Sequence, residues 1–289
     1  MSIAPTIVIT GATSGLGQIA AIELACRGAH IVFTARNKEK AAATRAAIQA
    51  VKPGARVDVY YADFSSLDAV VNVGAEIAAN CERIDVLINN AGLHAFEQRI
   101  TADGFSEMVS VNYLAPWLLT NILRDKLLES TPSRVITVAS EASRRSDGLH
   151  ARRDICNTAA FSRLGSSKVY GQTKLMDIMF SMELARQLQD TGVSSNCLDP
   201  GFNVTSLGRE LGFASILERV LKALNIGNPQ RGAGTMVQLA TDPAFASVTG
   251  GYFSVDAALQ LIPVAPGDDI CARRELWSVT SELLAGRWG

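Results

Sequence analysis

A tyrosine and a lysine stand four residues apart in the second half of the chain, at Tyr170 and Lys174. They fall within a segment of helical spacing, so their side chains should share one face of a helix. A tyrosine hydroxyl ordinarily has a pKa of about 10. A neighbouring cation lowers the pKa of an acid by about 1–3 units. The pair is therefore a candidate for general acid–base catalysis, with Tyr170 giving or taking the proton.

Other polar side chains occur where predicted strands end. Asn89-Asn90-Ala91-Gly92 closes the fourth strand, and Ser140 closes the fifth. Pro200-Gly201 closes the sixth, with Thr205 just beyond, and Asn112 lies in the long helix that follows the fourth. Ligands of open α/β sheets bind outside the carboxyl ends of the strands, so these residues are expected to line one site.

A glycine-rich loop, Thr10-Gly11-Ala12-Thr13-Ser14-Gly15-Leu16-Gly17, joins the first strand to the first helix. Glycines there permit positive φ and let backbone N–H groups and the helix N-terminus approach a pyrophosphate. The spacing is GxxxGxG, but its place between a strand and a helix predicts a dinucleotide site. The expected contacts in this loop are Gly11, Thr13, Ser14, Gly15, Leu16 and Gly17.

The end of the second strand indicates which dinucleotide binds. An NAD-preferring site carries an acid about 20 residues beyond the loop. Counting from Gly15 or Gly17 reaches Ala35 and Arg36, where no acid stands. The guanidinium fork of Arg36 suits a 2′-phosphate, which predicts NADP(H). The alternative is a solvated arginine at a strand end.

Apolar β-branched segments alternate with helical segments along the chain. The predicted strands are Thr6–Thr10, Ile31–Thr34, Arg56–Tyr61, Ile84–Asn89, Arg134–Val138 and Ser194–Leu198. Helical patterns fill the intervals, including a long one over Thr101–Leu128. With right-handed crossovers, this alternation predicts an α/β fold with a doubly wound (Rossmann) parallel sheet. No repeat or linker divides the chain, so residues 1–289 are expected to form one domain.

Two segments break the alternation, at Glu141–Lys168 and Phe202–Asn228. The first is loop-like, and the second becomes amphipathic from Leu207 onward. One interpretation is an apolar stripe docked permanently on the core; the other is a lid over an apolar substrate. As a lid, the segment would supply Phe202 and Leu207 to the substrate. His94 is either a further substrate contact or an ordinary loop histidine.

Composition excludes several classes of protein. The chain has 289 residues, of which 48% are hydrophobic and 19% charged, and its formal net charge is −1. A near-zero charge argues against a polybasic nucleic-acid binder. Five scattered cysteines without a CxxC argue against a disulfide framework or a zinc site, and no metal is expected. No transmembrane segment or signal peptide is evident, so the predicted location is cytoplasmic.

Taken together, the motifs resemble the short-chain dehydrogenase/reductase family over nearly the whole chain. The matching pieces are TGATSGLG at 10–17, Asp63, NNAG at 89–92, Asn112, Ser140, YGQTK at 170–174 and PGFNVT at 200–205. Ala35-Arg36-Asn37 and TDPAFASVTGGYF at 241–253 resemble retinol-dehydrogenase-like members. Gln18 departs from the basic residue that many of these carry, and an N-terminal apolar anchor like that of many members is not expected. Retinoid activity is therefore not carried over.

The resemblance implies a role for each matching residue. Tyr170 would be the general acid in carbonyl reduction and the base in alcohol oxidation, while Ser140 would hold the substrate oxygen. Lys174 would lower the pKa of Tyr170 and hold the nicotinamide ribose, and Asn112 would bind a water that links Lys174 to solvent. The other implied cofactor contacts are Asp63, Asn90, Ala91, Gly92, Pro200, Gly201 and Thr205.

The predicted activity is that of an NADP(H)-dependent oxidoreductase that interconverts an apolar ketone or aldehyde and its alcohol. The resemblance also suggests a homodimer or homotetramer through the helices at 101–128 and 166–190. Two alternatives remain open. One is an imine or enone reductase on the same scaffold, and the other is a non-catalytic NADP-binding sensor.

Overall fold

In the computed structural model, which describes residues 4–201, 228–255 and 259–287, seven strands form one parallel sheet. Along the sheet they follow the order β3-β2-β1-β4-β5-β6-β7. The strands are β1 Thr6–Thr10, β2 His30–Ala35, β3 Val57–Tyr61, β4 Val86–Asn89, β5 Ser133–Val138, β6 Val193–Leu198 and β7 Tyr252–Phe253. The strand order reverses between β1 and β4, where a doubly wound sheet opens a crevice for a ligand. The predicted Rossmann architecture is confirmed.

Helices cover both faces of the sheet. They are α1 Gly15–Cys26, α2 Lys38–Val51, α3 Leu67–Asn80, α4 Glu107–Val109, α5 Ala115–Ile122, α6 Arg124–Glu129, α7 Ala151–Ile155, α8 Ser166–Gln187, α9 Pro229–Thr241 and α10 Ile270–Leu283. Helices α1, α2 and α9 pack on one face, and α3, α5, α8 and α10 pack on the other. Strands buried on both faces read as continuous apolar runs, which is why the sequence located them well.

The prediction of one continuous helix over Thr101–Leu128 is wrong, because the structure divides this region into several shorter helical segments. Gly104, with φ +83°, forms a turn, and the helical path begins only at Glu107. A π-helical turn at Ser110–Leu114 then separates α4 from α5. Pro116 explains the opening, because it has no N–H for the carbonyl of Asn112 four residues earlier. The irregular turn carries Asn112, one of the predicted site residues.

The segment Glu141–Lys168 contains more regular structure than its loop-like sequence predicts. It holds a 3₁₀ helix at Glu141–Arg145 and the short helix α7, and α8 begins at Ser166. Strand β7 was also missed, because two residues are too few to show a periodicity. The 3₁₀ helix follows the carboxyl end of β5, and β7 pairs with the carboxyl end of β6.

The predicted lid at 202–228 lies outside the described residues, apart from Asn228, which caps α9. Phe202, Thr205 and Leu207 lie outside them as well. Their predicted roles therefore stay predictions.

Helix α10 closes the face of the sheet that carries α5 and α8. Trp277 packs against Trp117 of α5, with ring centroids 5.3 Å apart, and stacks on Phe180 of α8 at 5.9 Å. Thr280 is fully buried and lies 2.6 Å from the hydroxyl of Tyr113 in the π turn. No helix within 4–201, 228–255 or 259–287 combines the length and the apolar character needed to cross a membrane.

The Tyr113–Thr280 contact yields a stability prediction. The Thr280 hydroxyl donates to the carbonyl of Leu276 at 2.7 Å, so Tyr113 must donate to Thr280. Tyr113→Phe removes one neutral hydrogen bond and should lower the free energy of unfolding by about 1 kcal/mol. Thr280→Val leaves the buried Tyr113 hydroxyl unpaired and should lower it by about 1–3 kcal/mol.

The double variant should be more stable than Thr280→Val alone, because both partners then become apolar. Urea unfolding midpoints of the three variants measure the order. A larger loss in Tyr113→Phe than in Thr280→Val would contradict the donor assignment.

Candidate active site at the carboxyl edge of the sheet

A cleft of about 240 Å³ opens at the switch point between β1 and β4. It is lined by the ends of β1, β2, β4 and β5, the start of α1 and one face of α8. The predicted site residues that line it are Gly11, Thr13, Ser14, Gly15, Leu16, Gly17, Arg36, Asp63, Asn90, Ala91, Gly92, Ser140, Tyr170, Lys174, Pro200 and Gly201. One cleft thus brings together residues far apart in the sequence.

The glycine loop leaves the backbone bare at the mouth of α1. Gly11 and Gly15 have φ of +68° and +57°, where L side chains are strained. A Cβ on Gly17 would lie 2.4 Å from the Asn90 Nδ2 and 2.8 Å from the carbonyl oxygen of Gly11. The first turn of α1 lines the cleft and holds no acidic residue, so the positive end of the helix dipole is not neutralised there. This geometry suits a pyrophosphate.

Asn90 fastens the glycine loop to the end of β4. Its Nδ2 donates to the carbonyls of Thr10, at 2.8 Å, and Gly11, at 3.2 Å. In return, the Thr10 hydroxyl accepts from the backbone N–H groups of Asn90 and Ala91, both at 2.9 Å. The Asn90 side chain therefore shapes the cleft wall through the loop.

Two cations stand at the far end of the cleft, next to β2. Arg36 is 60% exposed, and its Nη1 lies 3.8 Å from the Asp63 Oδ1. Lys40, in the first turn of α2, lines the same end and was not singled out from the sequence. Asn37 caps α2, because its Oδ1 accepts from the N–H of Lys40 at 2.8 Å. The sequence signal that could have identified Lys40 was its position in the first helical turn after β2.

Asp63 and Gln18 take part in local hydrogen bonds. The Asp63 Oδ1 accepts from the backbone N–H and the hydroxyl of Ser65, at 3.0 and 2.9 Å. Gln18 Nε2 donates to the Thr44 hydroxyl at 3.0 Å, which joins α1 to α2. The carboxylate that faces Arg36 is thus held by its own loop.

At the other end of the cleft, α8 presents Tyr170 and Lys174. Both are at least nine-tenths buried, and the Lys174 Nζ lies 5.8 Å from the centre of the Tyr170 ring. The ammonium donates to the carbonyl of Val138 and to the Asp177 Oδ2, both at 2.8 Å. Ser140, at the end of β5, uses its hydroxyl oxygen to accept from the N–H of Ala142 at 3.1 Å.

Burial controls the charge of this pair. It raises the pKa of the Tyr170 hydroxyl. Lys174 lowers this pKa, the Asp177 and Asp199 carboxylates raise it, and the net shift is upward. Burial lowers the pKa of Lys174, but Asp177 and Tyr170 raise it above its ordinary value. In this state the tyrosine is neutral and the lysine charged, which makes Tyr170 a proton donor.

Asn112 lies behind the cleft and not on its wall. Its Oδ1 accepts from the N–H of Leu93 at 2.8 Å, and its Nδ2 donates to the carbonyl of Leu93 at 2.9 Å. The same Nδ2 donates to the Thr173 hydroxyl at 3.0 Å. The side chain therefore joins the loop after β4 to α8, beside Lys174. Its implied role in binding a relay water stays a prediction.

His94 packs on the catalytic candidate. Its ring stacks on Tyr170, with centroids 4.7 Å apart and planes 16° from parallel. The His94 Nε2 lies 3.1 Å from the Ser166 hydroxyl, which donates to the carbonyl of Arg163 at 2.6 Å. His94 is not among the residues that line the cleft. Its role as a substrate contact stays a prediction.

Two buried acids near the site were missed from the sequence. Asp177 pairs with Lys174, and its position three residues later on the same helix was the available signal. Asp199 accepts from the N–H of Glu141 at 3.0 Å and from that of Gly201 at 3.1 Å. It thereby ties the end of β6 to the loop after β5, next to Ser140.

Comparison with known proteins decides the family. A sequence model of the family described as short chain dehydrogenase matches residues 5–150. The chain belongs to the short-chain dehydrogenase family. Human retinol dehydrogenase 13 is 35% identical to this dehydrogenase over 288 residues, covering 96% of this chain and 84% of that protein. The present chain is therefore retinol-dehydrogenase-like, and it is an oxidoreductase that acts on CH–OH or C=O groups with NAD or NADP.

Solved structures agree with this assignment. A crystal structure of an uncharacterized protein from Mycobacterium paratuberculosis has a TM-score of 0.72 and 27% identity, covering 98% of this chain and 94% of that one. A structure titled as an NAD(P)-dependent gluconate 5-dehydrogenase from Beutenbergia cavernae, with NADP at low occupancy, has a TM-score of 0.67 and 28% identity. It covers 89% of this chain and 97% of that one.

Proposed function

We propose that this dehydrogenase uses NADP(H) to interconvert an apolar ketone or aldehyde and its alcohol, with Asn112, Ser140, Tyr170 and Lys174 as the catalytic set. The observation that carries the proposal is that Tyr170 and Ser140 line the same cleft as the glycine loop. The loop, Arg36 and Lys40 would hold the cofactor, which supplies or accepts the hydride when bound. Asp63, Asn90–Gly92 and Pro200-Gly201 would form the remaining wall.

In carbonyl reduction, negative charge builds on the substrate oxygen, and placed donors stabilise it. The Ser140 hydroxyl would donate to that oxygen and orient it toward Tyr170. Tyr170 would then give its proton to the oxygen, and the ammonium of Lys174 would stabilise the tyrosinate that remains. Because the pKa of Tyr170 is raised, the hydroxyl holds its proton at neutral pH. Alcohol oxidation needs the tyrosinate, so its rate should rise with pH.

NADP preference is supported by the charges at the β2 end of the cleft. Arg36 and Lys40 can both face a 2′-phosphate, while Asp63 is drawn toward Arg36 and held by Ser65. An arginine fork pairs well with a phosphate. The cleft offers these two cations where an NAD site would carry an acid beside the ribose.

The apolar substrate class rests on different support. Human retinol dehydrogenase 13 is named for an alcohol with an apolar skeleton. As a lid, the segment predicted to be amphipathic at 202–228 would close its apolar stripe over a substrate at the same edge of the sheet. Retinol itself is not proposed as the substrate.

Several broader expectations stay predictions. Residues 1–289 are expected to form one domain, to be cytoplasmic and to assemble as a homodimer or homotetramer. In the described part of the chain, Trp277 of α10 packs on Trp117 of α5 and on Phe180 of α8.

Removal of the Tyr170 hydroxyl tests the catalytic assignment. Tyr170→Phe keeps the ring that packs on His94 but removes the proton donor. Turnover should fall by at least about 100-fold, while NADPH binding and thermal stability persist. Tyr60→Phe is the matched control, because it removes a phenol from β3, away from the cleft. Near-parent turnover in Tyr170→Phe would show that another group protonates the product.

Cofactor preference can be measured as the ratio of kcat/KM for NADPH and NADH. A charge-assisted hydrogen bond contributes about 1.5–3 kcal/mol, which is roughly a 10- to 150-fold preference. Arg36→Asp should erase or reverse the preference, and Lys40→Ala should reduce it. Lys38→Ala removes the same charge from a side chain that lies over the Tyr61 ring, so it should leave the ratio unchanged. Equal kcat/KM for both cofactors in the parent protein would contradict the assignment.

A substrate series tests the apolar class. Each buried methylene contributes about 0.8 kcal/mol, close to a fourfold gain in kcat/KM per carbon until the pocket fills. We expect this rise along a series of unbranched ketones assayed with NADPH. A flat response, or a preference for small polar carbonyls, would count against it. Turnover of imines or enones without turnover of ketones would favour the alternative reductases.

A further inference from the structure

A buried carboxylate outside the expected catalytic set touches its charged member. Asp177 is 1% exposed and lies one helical turn from Lys174 on α8, with its Oδ2 2.8 Å from the Nζ. Its Oδ1 is buried and has no hydrogen-bond partner among the described residues. Burying a carboxylate is costly even when it is paired, and aspartate is a poor residue for a helix interior. An acid at this position calls for an explanation beyond packing.

The lysine ammonium is held by two partners from different elements. The carbonyl of Val138, at the end of β5, accepts from the Nζ at 2.8 Å, and Asp177 accepts at the same distance. The carboxylate and the carbonyl together fix the ammonium beneath the Tyr170 ring, 5.8 Å from its centre. Loss of Asp177 would leave a nine-tenths-buried ammonium without its counter-charge.

We propose that Asp177 is a positioning residue for the Tyr170–Lys174 pair: it fixes the ammonium and cancels its charge, so that Tyr170 keeps its proton near neutral pH and the site is set for carbonyl reduction. The inference deepens the proposed function and rests on it for the direction of the reaction. The expected change in the pKa of the Tyr170–Lys174 pair depends only on side chains of this protein, so it can be tested without cofactor or substrate.

The charge balance gives the direction of the effect. With Asp177 ionised, neutral Tyr170 and charged Lys174 make a site of net charge zero, and loss of a proton leaves a buried net charge of −1. In Asp177→Asn the site begins at +1, and loss of a proton brings it to zero. The second step costs less in a buried site, whichever of the two groups releases the proton. The pKa of the pair should therefore fall.

Other titratable groups surround the pair. Cys197 of β6 and Tyr113 of the π turn are fully buried, and in both burial raises the pKa, with a further rise from Asp177. Asp199 lies beyond β6, where burial raises the pKa of its carboxyl, and His94 stacks on the Tyr170 ring. Asp177 is the acid in contact with Lys174. Burial raises its pKa to about 6 against the lowering effect of that lysine, and the 2.8 Å contact with the ammonium favours its ionised form.

Spectrophotometric titration tests the inference without cofactor or substrate. The tyrosinate absorbance of Tyr170 is obtained as the difference between each protein and its Tyr170→Phe counterpart. The pH profile of kcat/KM for alcohol oxidation is recorded in parallel. In Asp177→Asn, at least one of the two midpoints should fall by about one pH unit or more, the usual effect of a nearby charge. The inference is overturned if both midpoints stay in place or rise.

Glu183→Gln is the matched control. It removes another buried carboxylate from α8, one that pairs with Arg186 and lies nine residues beyond Lys174. Neither midpoint should move in this variant; an equal fall there would also overturn the inference, because the effect would then not be local. If the protein proves not to be an oxidoreductase, the tyrosinate midpoints of a pair of variants without Lys174 still decide the electrostatic claim, because Tyr170 alone can then release the proton.

A second comparison covers the case in which Asp177→Asn does not fold. Lys174→Met and Lys174→Met/Asp177→Asn both lack the ammonium and differ only in the carboxylate. The tyrosinate midpoint should be lower in the double variant, since Tyr170 there no longer faces a buried anion. Equal midpoints, or a higher one in the double variant, would contradict the proposal.

Discussion

The ammonium of Lys174 is the group on which the geometry of this site depends. A charge that is nine-tenths buried persists only if its lost hydration is replaced by fixed partners. The Val138 carbonyl at the end of β5 and the Asp177 carboxylate on α8 are those partners. The ammonium is therefore stable only where α8 packs correctly against the edge of the sheet. The Tyr170 hydroxyl, the Ser140 hydroxyl and the cleft are all positioned by that junction.

The remainder of the site is held by similar links between the ends of neighbouring strands. Asn90 and Thr10 exchange hydrogen bonds across β4 and β1, and Asn112 ties the loop after β4 to α8. Asp199 ties β6 to the loop that carries Ser140. Each link uses a polar side chain that is at least partly buried, so the carboxyl edge of the sheet is fixed before any ligand binds. Groups fixed in advance by such links can act on a substrate without reorganising during the reaction.

The sequence predicted the strands closely because most of them are buried on both faces. β1 was placed at its observed bounds, and β2 proved one residue longer at each end. The break in the long helix was missed although the sequence carries a signal for it, because a proline inside a helical pattern, here Pro116, interrupts the hydrogen-bond ladder. Asp177 was missed because α8 is buried on nearly all sides. Without a clear division into an apolar and a polar face, the sequence pattern does not show that this acid is buried.

The central claim is that Tyr170 and Ser140 together bind the oxygen that is protonated. The most direct measurement is an experimental structure with NADP and an apolar alcohol or ketone bound. The substrate oxygen should lie within about 2.6–3.2 Å of both the Tyr170 Oη and the Ser140 Oγ, with Lys174 still held by Asp177. A substrate oxygen bound away from Tyr170, with no contact to either hydroxyl, would contradict it.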